Sequence, residues 1–172
     1  MDRMLKNFIQ REMCPDGIWR LTNVTKSVLR RQILQFPQRE VSENEMRYPT
    51  TPSGMRAFLE TFFTRHFFQL QNSLFDFMTS EIFLDTALSG QLRILDVGSG
   101  PAVASLAITD LLTYILDYLV YIGRYPKHGI FNVTYVLNDT ESICLWTGRG
   151  ICYQTNLKFK NRIVVGLLIA KR

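Results

Sequence analysis

A short segment near the middle of the chain, residues 92–106, carries the residue types best suited to ligand-binding chemistry. Asp96 lies near the end of an apolar run, and Gly98 and Gly100 follow it one residue apart. Glycines at this spacing let the backbone turn sharply and approach a ligand without a Cβ atom in the way. The amide N–H groups at the start of the next helix can donate to that ligand. The segment therefore predicts a strand, a ligand-binding turn and a helix.

The spacing of these residues separates the turn from two common nucleotide-binding loops. A dinucleotide fold has a third glycine where Val103 stands, and a P-loop continues into Gly-Lys-Ser/Thr, which this sequence lacks. The run Ile-Leu-Asp-Val-Gly-Ser-Gly-Pro-Ala instead resembles the first motif of class I S-adenosylmethionine-dependent methyltransferases. In those enzymes the backbone of this motif holds the methionine part of the cofactor. The resemblance therefore assigns the binding of S-adenosyl-L-methionine to Asp96, Gly98, Ser99, Gly100 and Pro101.

The resemblance, which covers residues 92–145, also implies an acid after the next strand that holds the two ribose hydroxyls. A carboxylate suits a vicinal diol because it can accept from both hydroxyls at once. Asp139 matches this position best, with Glu141 and Asn138 as alternatives. The distance along the chain from Asp96 is about twice the ~20 residues usual in nucleotide folds. Capping of the following helix is therefore an equally good explanation for Asp139.

The elements that must position these residues alternate in type after residue 90. The order predicts an α/β fold, a Rossmann-like parallel sheet with crossover helices, preceded by an N-terminal helical region. Gly148 and Gly150 are expected to end the second crossover helix. The predicted strands are 92–97, 131–137 and 161–170, and the predicted crossover helices are 102–123 and a helix from Thr140.

Three strands are fewer than the seven that the resemblance implies for a complete methyltransferase, so the sheet is predicted to be incomplete. Three explanations stay open. The chain is a truncated form of a longer enzyme, or it associates with itself or with a partner chain that completes the sheet, or it keeps the cofactor-binding half for a non-catalytic role. An apolar edge left open would make a parallel half-sheet sticky on its own.

The chain before the sheet is divided into an N-terminal helical segment with a linker, residues 1–52, and a leading helix, residues 55–88, of a partial methyltransferase domain over 53–172. Pro37 is expected to stop a helix over 27–36. Ser53 is expected to cap the leading helix.

Phenylalanines and leucines recur along the leading helix at three- and four-residue spacing, which predicts a broad apolar stripe. Core packing is the favoured explanation of this stripe. The alternative is that the helix lies over a cofactor pocket, with His66, Gln69 or Asn72 facing the ligand.

The helix over 102–123 is apolar enough to raise the question of a membrane span. Asp110 and Asp117 interrupt it, and each would be costly at the middle of a bilayer. Because they lie seven residues apart they share one helical face, which is expected to look toward solvent. A buried helix of a globular protein is therefore predicted, and no membrane span.

Charge and cysteine usage limit the remaining function classes. Residues 1–50 carry nine Lys and Arg against six Asp and Glu, residues 51–146 carry five against nine, and residues 147–172 carry six against none. A basic end can attract RNA, but a short solvated tail is the favoured explanation. The three cysteines form neither a disulfide framework nor a metal-type cluster, and the N-terminus lacks a secretory pattern. A reducing cytoplasmic location and no metal site are predicted.

The sequence therefore favours an S-adenosylmethionine-dependent methyltransferase, or a truncated form of one, whose acceptor is a small molecule or RNA. No catalytic residue is assigned, because methyl transfer often needs little beyond proximity and alignment. The alternative is a catalytically inactive, methyltransferase-like interaction or scaffold protein, including one that works in an RNA-associated complex.

Overall fold

The computed structural model describes residues 3–14, 20–159 and 163–170 of the 172-residue chain. In this part of the chain, eight helices and three strands form a mixed α/β structure, with six helices before the first strand. The elements are α1 (Arg3–Met13), α2 (Asn23–Ile33), α3 (Glu43–Arg47), α4 (Pro52–Thr61), α5 (Phe63–Met78), α6 (Glu81–Leu88), β1 (Gln91–Val97), α7 (Val103–Tyr121), β2 (Phe131–Asn138), α8 (Ser142–Phe159) and β3 (Ile163–Ala170).

The three strands form one parallel sheet in the order β1-β2-β3. The register places Leu95 beside Val136 and Val136 beside Leu168. Parallel neighbours need long crossover connections, and α7 and α8 supply them. The mixed α/β class, the parallel sheet and the crossover helices expected from the sequence are confirmed. The predicted start of β3 at 161 lies outside the described residues.

The main core lies between one face of the sheet and α7. Side chains of β2 alternate between the two faces, and Phe131, Val133, Tyr135 and Leu137 are fully buried. A second core cluster joins the N-terminal helices to the first turns of α7 and α8, so the helical region and the sheet region share buried surface. Its buried members are Val28, Leu29, Phe36, Met55, Phe58, Leu59, Phe63, Phe67, Val103, Leu106, Ala107, Cys144 and Ile151.

The other face of the sheet is open in the described part of the chain. Leu95 is 64% exposed and Leu168 is 59% exposed, although both are large apolar residues in strands. No described strand lies beside the outer edge of β1. Strands of a parallel sheet are normally covered on both faces. This face and this edge can therefore accept further structure.

The Phe-rich segment forms three helices, so the prediction of one helix over 55–88 is wrong. The chain bends at Phe62, between α4 and α5, and again before α6, which Ser80 caps by accepting from the Phe83 amide at 3.3 Å. The periodicity did not reveal these bends because apolar residues continue at the same spacing across them. The helix predicted over 27–36 is present as α2, but it begins earlier, at Asn23, and ends at Ile33 rather than at Pro37.

The first of these helices begins earlier than expected. Helix α4 starts at Pro52, and the Thr51 hydroxyl caps it by accepting from the Gly54 amide at 3.1 Å. The predicted cap at Ser53 is therefore wrong. Proline suits the first helical position because the backbone N–H it lacks would have no partner there.

Helix α8 continues through both of its glycines, so the prediction that Gly148 and Gly150 end it is wrong. The two glycines serve close packing instead. A Cβ atom on Gly148 would lie 2.9 Å from Leu137 Cδ1, and one on Gly150 would lie 2.6 Å from Gln32 Nε2. Helix α8 can therefore approach the sheet and α2 more closely than a helix with side chains at these positions.

Helix α7 contains a buried carboxylate. Asp110 is only 1% exposed, so the prediction that it faces solvent with Asp117 is wrong for Asp110, whereas Asp117 is exposed. The Asp110 carboxylate accepts from the hydroxyls of Thr22 at 2.8 Å and Thr25 at 2.7 Å, and from the Gln71 amide at 3.1 Å. Two helices distant in sequence, α2 and α5, supply donors that a linear pattern does not reveal.

The same helix is the one described helix long and apolar enough to cross a membrane. Of its apolar window, 72% is buried inside the protein. This burial is typical of the central helix of a globular fold, in agreement with the prediction.

Candidate functional site

The glycine turn after β1 has the backbone that the sequence predicts for a binding loop. Gly98 has φ +65° and Gly100 has φ +50°, a region that residues with side chains rarely adopt. A Cβ atom at either position would meet nothing within 4 Å. The glycines are therefore required by the turn itself, and they leave open space in front of the loop. Ala102, fully buried at the end of the loop, also has a positive φ of 59°.

The loop is held against the end of β2. The amides of Gly98 and Ser99 both donate to the Asn138 carbonyl, at 2.8 and 3.1 Å. The Gly100 amide donates to the Asp139 carboxylate at 2.8 Å. These bonds connect the carboxyl ends of two neighbouring parallel strands, which is where ligands bind in open α/β sheets.

The loop and Asp139 line a single cavity of about 740 Å³. This volume lies within the range of small-molecule sites in proteins. All six residues assigned from the sequence, which come from two separate parts of the chain, line it together. The cavity is lined by Arg47, Tyr48, Pro49, Thr50, Phe58, His66, Gln69, Leu70, Ser73, Asp96, Val97, Gly98, Ser99, Gly100, Pro101, Val103, Ala104, Asp139, Thr140, Glu141 and Cys144.

The two explanations of Asp139 are compatible. One carboxylate oxygen accepts from the Gly100 amide, and the other accepts from the Glu141 amide at 2.9 Å, in a turn just before α8 begins at Ser142. Asp139 thus shapes the start of α8 and lines the cavity as well. Of the two alternatives, Glu141 also lines the cavity, whereas the Asn138 side chain donates to the Ala170 carbonyl of β3 at 2.9 Å.

The Asp96 carboxylate joins the strand to the helix that follows the loop. It accepts from the Ser105 hydroxyl at 3.1 Å. Burial raises the pKa of Asp96 above its ordinary value; the Ser105 hydrogen bond opposes this shift, and the negative charge of Asp139 adds to it. Asp96 therefore joins the end of β1 to α7 through this hydrogen bond and also lines the cavity.

Ser99 is a polar group at the cavity that the described protein leaves unsatisfied. Its side chain is 6% exposed, and its Oγ has no hydrogen-bond partner among the described residues. A buried hydroxyl without a partner costs about 1–3 kcal/mol. Because the Ser99 Oγ is buried within the loop, it does not face a ligand in the cavity.

The N-terminal helices contribute the remaining lining, and sequence reasoning found only part of it. His66 and Gln69 line the cavity, and Asn72 is exposed outside it. The stripe of α5 therefore serves core packing on one side, while two of its polar residues reach the cavity. The ring of His66 also packs against Phe58, with ring centroids 5.6 Å apart.

Arg47 and Tyr48 were not identified from the sequence. They lie at the end of α3 and in the turn after it, which composition marked only as a linker. The one indication in the sequence that this turn could bind a ligand is that Arg47 stands next to an aromatic residue, Tyr48, in a proline-rich segment. Nothing in that pattern linked the turn to a glycine loop some fifty residues later.

The cavity thiol is not a nucleophile at neutral pH. Burial raises the pKa of Cys144 to about 12, with the charges of Asp139 and Glu141 adding to the effect. The arrangement therefore offers three carboxylates, a histidine, a tyrosine and an arginine around a glycine loop. These groups can bind and orient a polar ligand, and no activated thiolate is present among them.

Comparisons of the chain with protein-family models, with characterised proteins and with solved structures return no match. The geometry of the cavity, together with the motif in the sequence, is therefore the basis for assigning a function.

Proposed function

We propose that the chain binds S-adenosyl-L-methionine in this cavity and acts as a Rossmann-like methyltransferase on a small-molecule or RNA acceptor. One observation carries this assignment. The glycine loop whose sequence resembles the first methyltransferase motif is hydrogen-bonded, from the Gly100 amide at 2.8 Å, to the acid that the same resemblance assigns to the ribose. Asp96 and Asp139 are far apart in sequence and line the same cavity.

The residues at the cavity fit the chemistry of this cofactor. Each Asp139 oxygen accepts one backbone amide and retains capacity to accept from a ribose hydroxyl. The first turn of α7 has backbone N–H groups without partners inside the helix, which suit the carboxylate of the methionine part. When bound, the cofactor would supply an electrophilic methyl group on a sulfonium ion.

The N-terminal helices are placed to select the acceptor. Tyr48 and His66 line the same cavity as the glycine loop. Methyl transfer is accelerated chiefly by holding the two reactants in line and close together. These side chains would hold the acceptor and limit the access of water.

The most direct test is calorimetric titration of the purified chain with S-adenosyl-L-methionine. We expect saturable binding, and an Asp139→Asn variant should bind at least about tenfold more weakly because it loses a charge-assisted hydrogen bond. Glu141→Gln is the matched control, since it removes a neighbouring carboxylate from the same cavity. Folding of each variant is checked by thermal melting. Absence of binding by the folded wild-type chain would exclude the assignment.

A second function, a non-catalytic scaffold, is favoured by the open face of the sheet. Leu95 and Leu168 are exposed on either side of the half-buried Val136, so the three form an apolar row across β1, β2 and β3. Exposed apolar patches of this kind commonly mark association sites. A partner chain or a second copy would cover this row and complete the sheet at the edge of β1.

Measurement of molecular mass in solution by light scattering tests the scaffold function. A stable complex that Leu95→Asp dissociates would support it, particularly if the chain does not bind S-adenosyl-L-methionine. A monomer that transfers methyl groups would contradict it. The exposed Ile82→Asp variant, away from the sheet, controls for general effects of an added charge.

A further inference from the structure

One exposed side of α8 carries aromatic and basic residues in alternation. Trp146 is 53% exposed and Tyr153 is 61% exposed, and Arg149 lies exposed between them. Lys158, near the end of the helix, is also exposed, but it lies about 140° around the helix from Tyr153 and therefore flanks this face. The spacing of three and four residues from 146 to 153 places the two rings and Arg149 on one face of the helix. Large rings on a solvent-facing helix are available to a partner.

Helix α2 extends this face. The Arg31 guanidinium donates to the Gln154 side-chain oxygen at 2.8 Å, which joins the exposed sides of the two helices. Arg31 also borders a shallow groove of about 430 Å³ on α2, together with Lys26 and Arg30. We define the α2/α8 surface as Lys26, Arg30, Arg31, Trp146, Arg149, Tyr153 and Lys158.

The positive charge of this surface is not neutralised within the described chain. None of its five cations forms an ion pair with a carboxylate in the described residues. Cations elsewhere do so, as in the pairs of Arg56 with Glu60 and Arg124 with Asp85. The sequence contains no Asp or Glu over 17–39 or 142–172, the two stretches that contain α2 and α8.

Trp146 is held in place by a buried neighbour. Its ring meets Phe36 edge-on, with centroids 5.5 Å apart and planes at 73°. Phe36 is itself buried. An aromatic ring fixed in this way loses little conformational freedom when a partner stacks on it, which favours binding.

We propose that the α2/α8 surface binds single-stranded RNA. Unpaired bases stack on aromatic rings and on the guanidinium plane of arginine, while lysine and arginine contact the phosphates. A duplex hides its bases from such rings, and single-stranded segments are the form in which RNA offers them. From Trp146 to Lys158 the helix rises about 18 Å, enough for a short single strand. This binding is independent of the cofactor cavity and goes beyond the proposed methyl transfer.

The sequence alone did not predict this surface. Neither α2 nor α8 contains a compact run of basic residues interleaved with aromatic ones. The pattern arises only because packing of Gln32 against Gly150 brings the two helices side by side.

Fluorescence anisotropy of a labelled 12-nucleotide single-stranded RNA of mixed sequence, without S-adenosyl-L-methionine, tests the inference. We expect dissociation constants in the micromolar range. If all five cations neutralise phosphates, the slope of log K against log salt is about −3.5, and affinity falls roughly 100-fold between 50 and 200 mM salt.

Two sets of variants, each with a matched control, distinguish binding at the α2/α8 surface from a general effect of positive charge or of exposed aromatic rings. Trp146→Ala and Tyr153→Ala should each weaken binding at least about fivefold through lost stacking, whereas Tyr121→Ala, another exposed ring stacked on a phenylalanine, should not. Arg30→Glu with Arg31→Glu should abolish binding. Arg3→Glu with Arg11→Glu on α1, which changes the net charge equally, should leave most of it.

Several outcomes would overturn the inference. These are equal losses in the two charge-reversed variants, no loss in the folded Trp146 and Tyr153 variants, equal affinity for the same RNA annealed into a duplex, and tighter binding to anionic lipid vesicles or to an acidic peptide. Because the assay contains no cofactor, its failure leaves the proposed function standing, and failure of cofactor binding leaves this inference standing.

Discussion

Removal of the Asp110 carboxylate would test how the N-terminal helices are joined to the sheet region. In Asp110→Ala, the Thr25 hydroxyl and the Gln71 amide, both buried, lose their acceptor, and Thr22 loses one as well. An unsatisfied buried donor costs about 1–3 kcal/mol. The variant also no longer has to bury the Asp110 carboxylate, and this gain offsets part of the loss. We expect a net loss of about 3 kcal/mol, which lowers Tm by roughly 6–12 °C for a chain of this size.

Thermal melting followed by circular dichroism measures this loss, and the same helix provides the control. Asp117 lies seven residues later and is exposed. Asp117→Ala should therefore change the free energy of unfolding by less than about 1 kcal/mol, as is usual for exposed charges. Equal destabilisation by the two variants would refute the buried network around Asp110.

The pH dependence gives an independent check on the same carboxylate. Burial raises the pKa of Asp110, while hydrogen bonds from Thr25, Thr22 and Gln71 oppose the shift. The native protein thus holds this proton more tightly than the unfolded chain, whose Asp pKa is about 3.9. The stability gained from the protonated group is fully present below about pH 4 and is lost as pH rises through the native pKa. As pH rises through the native pKa of Asp110, the wild type should therefore lose stability relative to Asp110→Asn. If the difference in free energy of unfolding between the two proteins does not change with pH, the raised pKa is contradicted.

Three further variants or labels test individual elements. Gly100→Ala places a side chain at φ +50° and should lower the free energy of unfolding, measured with urea, by about 1–2 kcal/mol. Gly100→Asn should lower it less, because asparagine tolerates this backbone region. Equal losses in the two variants would contradict backbone strain at this position. Gly148→Ala, whose Cβ would lie 2.9 Å from Leu137 Cδ1, should lower Tm despite the better helix propensity of alanine; an unchanged Tm would show that the helix has room there. Burial raises the pKa of Cys144 and Cys152 to about 12. A thiol reagent at pH 8 should therefore label only Cys14 until the chain is denatured. Prompt labelling of all three cysteines would contradict this.

Strands and the glycine turn were predictable because local residue types determine them. Branched apolar residues end at Val97 and the glycines follow at once, so the positive φ values of Gly98 and Gly100 were implied by the sequence itself. The same holds for the position of Asp139 directly after β2. Parallel pairing of β1 and β2 then brings the loop and this acid together.

The errors arose where long-range packing overrides local preference. Gly148 and Gly150 were expected to end α8, but packing against Leu137 and Gln32 retains them inside the helix. Asp110 was expected to face solvent, because a helical pattern cannot reveal donors supplied by α2 and α5.

Only part of the lining from the N-terminal helices was found, for the same reason. His66 and Gln69 were named as an alternative to core packing, and both line the cavity. Arg47 and Tyr48 were missed, because their sequence neighbours give no sign of the glycine loop. Local sequence therefore predicted the half of the site on the sheet and only some of the half that covers it.

A crystal structure of the chain with S-adenosyl-L-homocysteine, the cofactor without its methyl group, would test the cofactor site most directly. We expect the ribose hydroxyls at hydrogen-bonding distance, about 2.7 Å, from the Asp139 carboxylate, and the amino-acid end of the ligand along Gly98 to Gly100 at the start of α7. An empty cavity at saturating ligand, or a ligand bound elsewhere on the chain, would contradict the assignment of this cavity to the cofactor.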